Sequence, residues 1–263
     1  MRIMTWNVWW RFGGAWRERE DGIVATLLAV QPDVVGLCET WAGDGTTQPR
    51  LLAERLGGFD ATFAPTSIPP VPHPPEEPSQ AGVQMGVGLV SRWPITGRTV
   101  HELPHPQRTG PPPTAISAIL DRPGAPFRVI VTCLEWETWF AQDQLAQARA
   151  VAELAAASDL PAVVLGDLNA SVDQPEMAPL LAVLADAWPA GGGDPAAVTL
   201  SSAVPQAPLK AVKQIDRRID HVLAHGGGLT VERAFLAGDQ PIDGLHPSDH
   251  FAVVADLDWD RKP

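Results

Sequence analysis

The chain has 263 residues, 45% of them hydrophobic, and a formal net charge of −12. That length suits one large α/β domain or two small ones, and the apolar content excludes a disordered chain. The acidic balance excludes a general nucleic-acid tracker, whose affinity comes from Lys and Arg on phosphates, but not a binder of small phosphorylated molecules with cations in its site.

The two cysteines, Cys38 and Cys133, lie in strand-like apolar runs, so reduced core thiols are expected rather than a disulfide framework. The N-terminus opens directly into strand pattern, without the charged and apolar regions of a signal peptide. No apolar run reaches membrane-spanning length, so the expected location is the cytoplasm, with no membrane partner.

In chain order, Ile3–Trp9 reads as a strand with Asn7 near its end. Trp16–Val30 reads as an amphipathic helix with Ile23, Leu27 and Val30 on one face, stopped by Pro32. Asp33–Leu37 is a second buried strand ending in Glu39, and strand–helix–strand predicts a parallel pair. Gln48–Leu56 suggests a short helix, and the proline-crowded Pro65–Pro78 an exposed loop, either a lid or a surface excursion.

Val83–Ser91 is the next strand, with a turn at Trp93-Pro94-Ile95 and a loop over Pro104–Pro113. Thr114–Leu120 and Phe127–Leu134 form an antiparallel pair. Asp143–Ala157 is the clearest helix, leading into the strand Val163–Asp167. Pro175–Leu184 predicts a helix, Gly191–Lys210 a loop, and Arg217–Leu223 and Leu229–Ala237 strands. His246–His250 is a turn before a last strand, Phe251–Leu257. Neither a repeat nor a break in composition marks a second domain, so one domain is expected over 1–263.

Polar residues gather at strand and turn ends: Asn7, Glu39, Asp167 with Asn169, Asp220, and Asp249 with His250. Asp167 and Asn169, two apart after a buried strand, point the same way, at the end where α/β sheets bind ligands. An Asp can orient or deprotonate water while an Asn donates to the anion under attack; Asp and Asn are equally common in plain turns. Each other member has a bland reading: Asn7 a turn cap, Glu39 an exposed residue, Asp220 an ion pair with Arg218, Asp249-His250 a solvated turn. Together their oxygen donors suit Mg²⁺ or Mn²⁺.

Trp6-Asn7, Glu39-Thr40, Gly86–Ile95, Gly166-Asp167-Leu168-Asn169, Arg218-Ile219-Asp220 and Ser248-Asp249-His250 stand in the order and spacing of the endonuclease/exonuclease/phosphatase superfamily, which the chain resembles over nearly its whole length. The superfamily includes pancreatic deoxyribonuclease, abasic-site endonucleases, neutral sphingomyelinases, inositol polyphosphate phosphatases and deadenylases. The resemblance implies a four-layer α/β/β/α sandwich of two mixed sheets with helices outside. It also implies hydrolysis of a phosphate ester by direct water attack with Mg²⁺ or Mn²⁺. By resemblance, Glu39 and Asn7 would hold the metal with Asp249 nearby. Asp167 would activate water, Asn169 would bind a phosphate oxygen, and Asp220 would orient His250 against the growing charge.

The chain departs from that pattern twice. The superfamily usually has a His after Thr in the strand that here reads Val131-Thr132-Cys133, and relatives with a similar opening often carry Thr-Trp where this chain has Thr199-Leu200. A thiol is a weak donor, so Cys133 is either a small buried hydrophobe or a reactive thiol. Cys133, Arg218, Trp9 and Trp136 are the expected substrate contacts; tryptophans in the pocket would favour a flat or apolar substrate. The leading expectation is a monomeric phosphohydrolase of small phosphorylated molecules. The rivals are a nuclease with a basic groove built from Arg11, Arg17, Arg19, Arg92, Arg217 and Arg218, and a non-catalytic binding protein.

Overall fold

The computed structural model describes residues 1–259; the last four positions of the expected domain, 260–263, lie outside the described residues. In chain order the elements are β1 (Arg2–Asn7), α1 (Trp16–Val30), β2 (Val34–Gly43), β3 (Thr46–Thr47), α2 (Gln48–Arg55), β4 (Asp60–Pro65), β5 (Gln84–Ser91) and β6 (Ile95–Glu102). They continue with β7 (Thr114–Leu120), β8 (Phe127–Cys133), α3 (Ala141–Ala156), β9 (Ala162–Asp167), α4 (Ala178–Leu181), β10 (Ala185–Asp186), α5 (Ala187–Ala190), β11 (Asp220–His225), β12 (Leu229–Ala237) and β13 (Ala252–Trp259).

The strands form two mixed sheets. One runs β12-β13-β1-β2-β5-β4 with β3 attached to β2, the other β10-β11-β9-β8-β7-β6. The expected parallel pair is β1 and β2, with Asn7 opposite Cys38. The expected antiparallel pair is β7 and β8. A second parallel pair, β8 and β9, sets Cys133 beside Asp167.

Alternation along the strands explains the layers. Ile3, Val34, Leu89, Val129, Val131, Val163, Leu165 and Val222 share one core between the sheets. Their neighbours Met4, Val35 and Val90 turn outward against Ile23, Val24, Leu27 and Val30 of α1. On the other sheet, Ile130, Val164 and Leu223 turn outward against Ala148, Val151 and Ala155 of α3. Strands covered on both faces read as continuous apolar runs. The result is the four-layer α/β/β/α arrangement expected from the sequence. Truncating a core side chain such as Leu165 would cost about 2–5 kcal/mol.

Two glycines set critical spacings. A Cβ on Gly36 would lie 2.6 Å from Leu165 Cβ of the opposite sheet, and one on Gly166 would lie 1.9 Å from Thr132 O. The first lets the sheets close and the second lets β8 and β9 pair beside Asp167.

Several expected boundaries move. β4 and β6 were not anticipated: Ile95 starts a strand rather than ending a turn, and β6 is an edge strand, mostly exposed, with no buried face for periodicity to report. The helix expected over Pro175–Leu184 breaks into a short 3₁₀ turn, Pro175–Met177, and the single turn of α4. Arg217 and Arg218 precede β11 instead of opening it. The proline-rich segment after β4 is not a plain excursion, because Ile68 is fully buried and Pro69 reaches the central cavity. Among the described residues, no helix is long and apolar enough to cross a membrane.

Candidate active site

The expected site residues converge at one end of the seam between the sheets. Asn7 ends β1, Glu39 sits in a bulge of β2, and Asp249 and His250 immediately precede β13. From the facing sheet come Cys133 at the end of β8, Asp167 at the end of β9, Asn169 two residues on, and Asp220 at the start of β11. Parallel β1–β2 and β8–β9 end here, while antiparallel β11 and β13 begin here.

Side chains bridge the seam. Asn7 Nδ2 donates to Glu39 Oε1 at 2.9 Å and to Asp167 Oδ2 of the opposite sheet at 3.0 Å. His250 Nδ1 lies 2.9 Å from Asp220 Oδ2, which leaves Nε2 facing Asp167 Oδ2 at 3.9 Å. Asp167 Oδ1 accepts from Asn169 N at 3.0 Å, and Asn169 Nδ2 donates to Leu134 O at 2.9 Å. Three non-glycine residues here hold positive φ: Trp9 at 56°, Glu39 at 50° and Asn169 at 53°. Each such conformation costs on the order of 1–3 kcal/mol and persists only where surroundings enforce it.

Those surroundings are visible. Buried Arg19 of α1 spends its terminal amines on five carbonyls: Val8 and Trp9 at 3.1 Å, Trp10 at 3.0 Å, Phe12 at 2.9 Å, and Pro247 at 3.1 Å. It therefore fixes the loop after Asn7 to the turn before Asp249. Burial holds its pKa down at about 10, still charged at neutral pH. Ser248 Oγ donates to Asn7 O at 2.7 Å. Thr199 Oγ1 accepts from Ile219 N at 3.0 Å and Asp220 N at 3.2 Å, aligning Asp220 for His250. The roles of Arg19 and Thr199 were missed in the sequence; nothing in their local pattern signals a carbonyl clamp or a strand-start cap.

The electrostatics are those of crowded acids. Burial, then the Asp249 charge, pushes Glu39 up to about 8. Burial, then Asp220, pushes Asp167 up to about 7. Asp249 is raised by burial. For His250, burial works against charge, but Asp220 and Asp167 outweigh it and raise its pKa well above the ordinary value. Cys133 is raised well above the thiol range by contact with Cys38 and by burial, so it is a neutral wall atom and not a thiolate.

This donor set fits a hard divalent cation, which would relieve the repulsion between the acids. Two groupings could hold one. Glu39 and Asp249 are two such carboxylates, while Asp167, Asp220 and His250 bring ligand-type atoms within 4.8 Å of one another. In the second group Asp220 Oδ2 is already engaged by His250. Asn7 turns its NH₂ towards Glu39 and Asp167, and its Oδ1 accepts from Trp9 N at 3.0 Å with one lone pair left for a further partner.

A cavity of about 180 Å³ opens over these groups. Asp167, Asn169, Glu39, Asp249, His250 and Cys133 form its polar floor and side, and both expected tryptophans, Trp9 and Trp136, line it. Arg218 does not reach it. Its guanidinium is bound to Asp186 at 2.5 Å and to His221 Nδ1 at 2.8 Å, away from the cavity. Residues two apart across a strand start need not share a partner, and the long-range Asp186 takes Arg218 in place of Asp220. Of the six arginines of the rival basic groove, four are engaged elsewhere, while Arg17 and Arg217 are exposed. Arg11 is bound to Asp44 and Ser79 O, Arg19 is buried, and Arg92 pairs with Asp33 near the opposite strand ends.

The model of the endonuclease/exonuclease/phosphatase family matches residues 4–250. Among solved structures, an endonuclease/exonuclease/phosphatase from Beutenbergia cavernae is 28% identical, covering 98% of this chain and 71% of that one, with a TM-score of 0.74. The human Nocturnin catalytic domain is 21% identical, covering 99% and 94%, with a TM-score of 0.73. Truncated TDP2 of Caenorhabditis elegans is 18% identical, covering 97% and 96%, with a TM-score of 0.73. At these identities the last two bear on the fold alone. No curated protein matches by sequence. Members of this family are generally phosphoester hydrolases. The matched span holds every group that meets at the seam, and the chain belongs to the endonuclease/exonuclease/phosphatase family.

Proposed function

We propose that this chain hydrolyses a small phosphate ester by direct attack of water, with a divalent cation, Mg²⁺ or Mn²⁺, held by Glu39 and Asp249. The observation that carries this reading is the placement of Asp167. It borders the cavity with a pKa near neutrality, between a donor amide on one side and an imidazolium on the other. A base works best with a pKa near the working pH.

Asp167 Oδ2 takes the proton of a water as its oxygen attacks phosphorus. Asn169 borders the cavity, and the Nδ2 hydrogen not given to Leu134 O is the donor to a phosphoryl oxygen. His250, charged because Asp220 and Asp167 face it, presents Nε2 to the negative charge that develops. Asp220 fixes the imidazole through Nδ1 and does not touch substrate. A bound cation would supply neutralisation of phosphate charge and of the leaving oxygen.

The test is hydrolysis of bis(para-nitrophenyl) phosphate and para-nitrophenyl phosphate with Mg²⁺ or Mn²⁺, and with chelator, for the parent and Asp167→Asn. The expected outcome is turnover that chelator abolishes and that the substitution lowers roughly a thousandfold, while thermal stability is unchanged or higher because a strained buried acid is gone. A variant as active as the parent refutes the assignment.

A further inference from the structure

The walls of the cavity differ sharply from its floor. Above the acids it is enclosed by Trp9, Phe12, Pro69, Trp136, Leu200 and Pro208. No lysine or arginine of the described residues lines it. Three cations next to lining residues are engaged elsewhere: Arg19 on carbonyls, Arg108 on Glu135 and Glu137, Lys213 on Gln144 and Glu176. Exposed Lys210 stands between the lining residues Pro208 and Ala211.

Trp136 has the geometry of a selecting residue. Its backbone is pinned on both sides, its N–H donating to Glu135 Oε1 at 3.0 Å and its carbonyl accepting from Gln214 Nε2 at 2.6 Å. Its side chain is left at the cavity mouth, with the residue 37% exposed. Trp9 is held similarly by its N–H to Asn7 Oδ1 and by Arg19 stacked 4.5 Å from its ring. Two indoles carried on held backbone beside a reacting centre offer flat apolar surface.

Resting on the phosphohydrolase reading, we infer that the substrate is a phosphate ester bearing an aromatic or otherwise flat apolar group, and that Trp9 and Trp136 are its specificity determinants.

The experiment compares kcat and KM of the full chain with Mn²⁺ or Mg²⁺ on bis(para-nitrophenyl) phosphate and methyl para-nitrophenyl phosphate, equal in charge and leaving group, for the parent, Trp136→Ala and Trp136→Phe. The expected KM for the diaryl ester is about tenfold lower than for the methyl ester. Trp136→Ala raises KM for the diaryl ester roughly tenfold with kcat within about twofold, and Trp136→Phe recovers most of the loss. Equal KM for the two esters, or a KM indifferent to Trp136→Ala, overturns the inference and leaves the phosphohydrolase reading standing. Failure to hydrolyse either ester overturns both.

Discussion

Two histidine–carboxylate clusters flank one short stretch of chain, Arg218-Ile219-Asp220-His221, and they do opposite things. Asp220 points into the seam, where it holds His250 beside Asp167, the cavity and two further acids. His221, the next residue, points to the other face, where Arg218 and Asp186 enclose it and Nε2 lies 2.8 Å from Ala170 O. One imidazole is kept charged by surplus carboxylates. The other is held neutral, its pKa pushed down to about 4 by burial and by Arg218. Residue types alone do not separate them. What separates them is whether the polar groups are satisfied among themselves or left facing a space a ligand can enter.

That contrast can be broken experimentally. The largest effect should come from Asp186→Asn, which strips the carboxylate from a guanidinium whose side chain is 11% exposed. The expected cost is roughly 3 kcal/mol, or about 10 °C in Tm, with kcat within about twofold of the parent. A fall in kcat without loss of Tm would place this cluster in the reaction. Next, Asp220→Asn should lower kcat by about ten- to a hundredfold and shift the pH–rate profile, because the imidazolium loses its nearest counter-charge; Tm should change little. If the profile stays fixed, Asp220 is not what orients His250.

The smallest effect separates the clusters by the sign of their pH dependence. His221 has a folded pKa near 4 against an ordinary 6.5. Below pH 6.5 the unfolded chain takes up a proton that the folded one refuses, so stability is lost as pH falls from 6.5 towards 4. Asp167 and Glu39 have folded values raised from 3.8 and 4.5 to about 7 and about 8, so the metal-free chain loses stability as pH rises across that span, opposite in sign to His221 where the two ranges overlap. His221→Gln should remove only the loss below pH 6.5 from a Tm-against-pH curve and leave its slope above pH 6.5 as it was. A slope that also changes above pH 6.5 would show that the two clusters titrate together.

Much of this site was legible because its residues end buried strands. Val163 to Asp167 announces both the strand and the point where it meets solvent, and Asn169 follows from period two. Glu39 was legible as an acid after a buried apolar run, but the strand does not end there: β2 runs on to Gly43, and the bulge and left-handed backbone that turn Glu39 leave no mark in residue type. The edge strand β6 was invisible for lack of a buried face. Arg218 was misassigned because its partner, Asp186, lies 32 residues away and no local spacing points to it. Two arginines of the rival groove, Arg11 and Arg19, are turned away from it for a related reason. A sequence counts charges, but it does not show that Arg11 and Arg19 are folded inward as ties for backbone carbonyls.

The route of the chain between the sheets has a consequence of its own. It crosses from one sheet to the other after β5 and returns after β11, so residues 95–225 build one sheet and the flanking segments build the other. The inner span contributes Cys133, Asp167, Asn169 and Asp220, and the outer spans contribute Asn7, Glu39, Asp249 and His250. Divided at those two crossings, the protein yields an inner piece with half of the chemistry and two outer pieces that share the other half, and none inherits a reaction. The site belongs to the assembled pair, as the bite of a pair of pliers belongs to neither jaw.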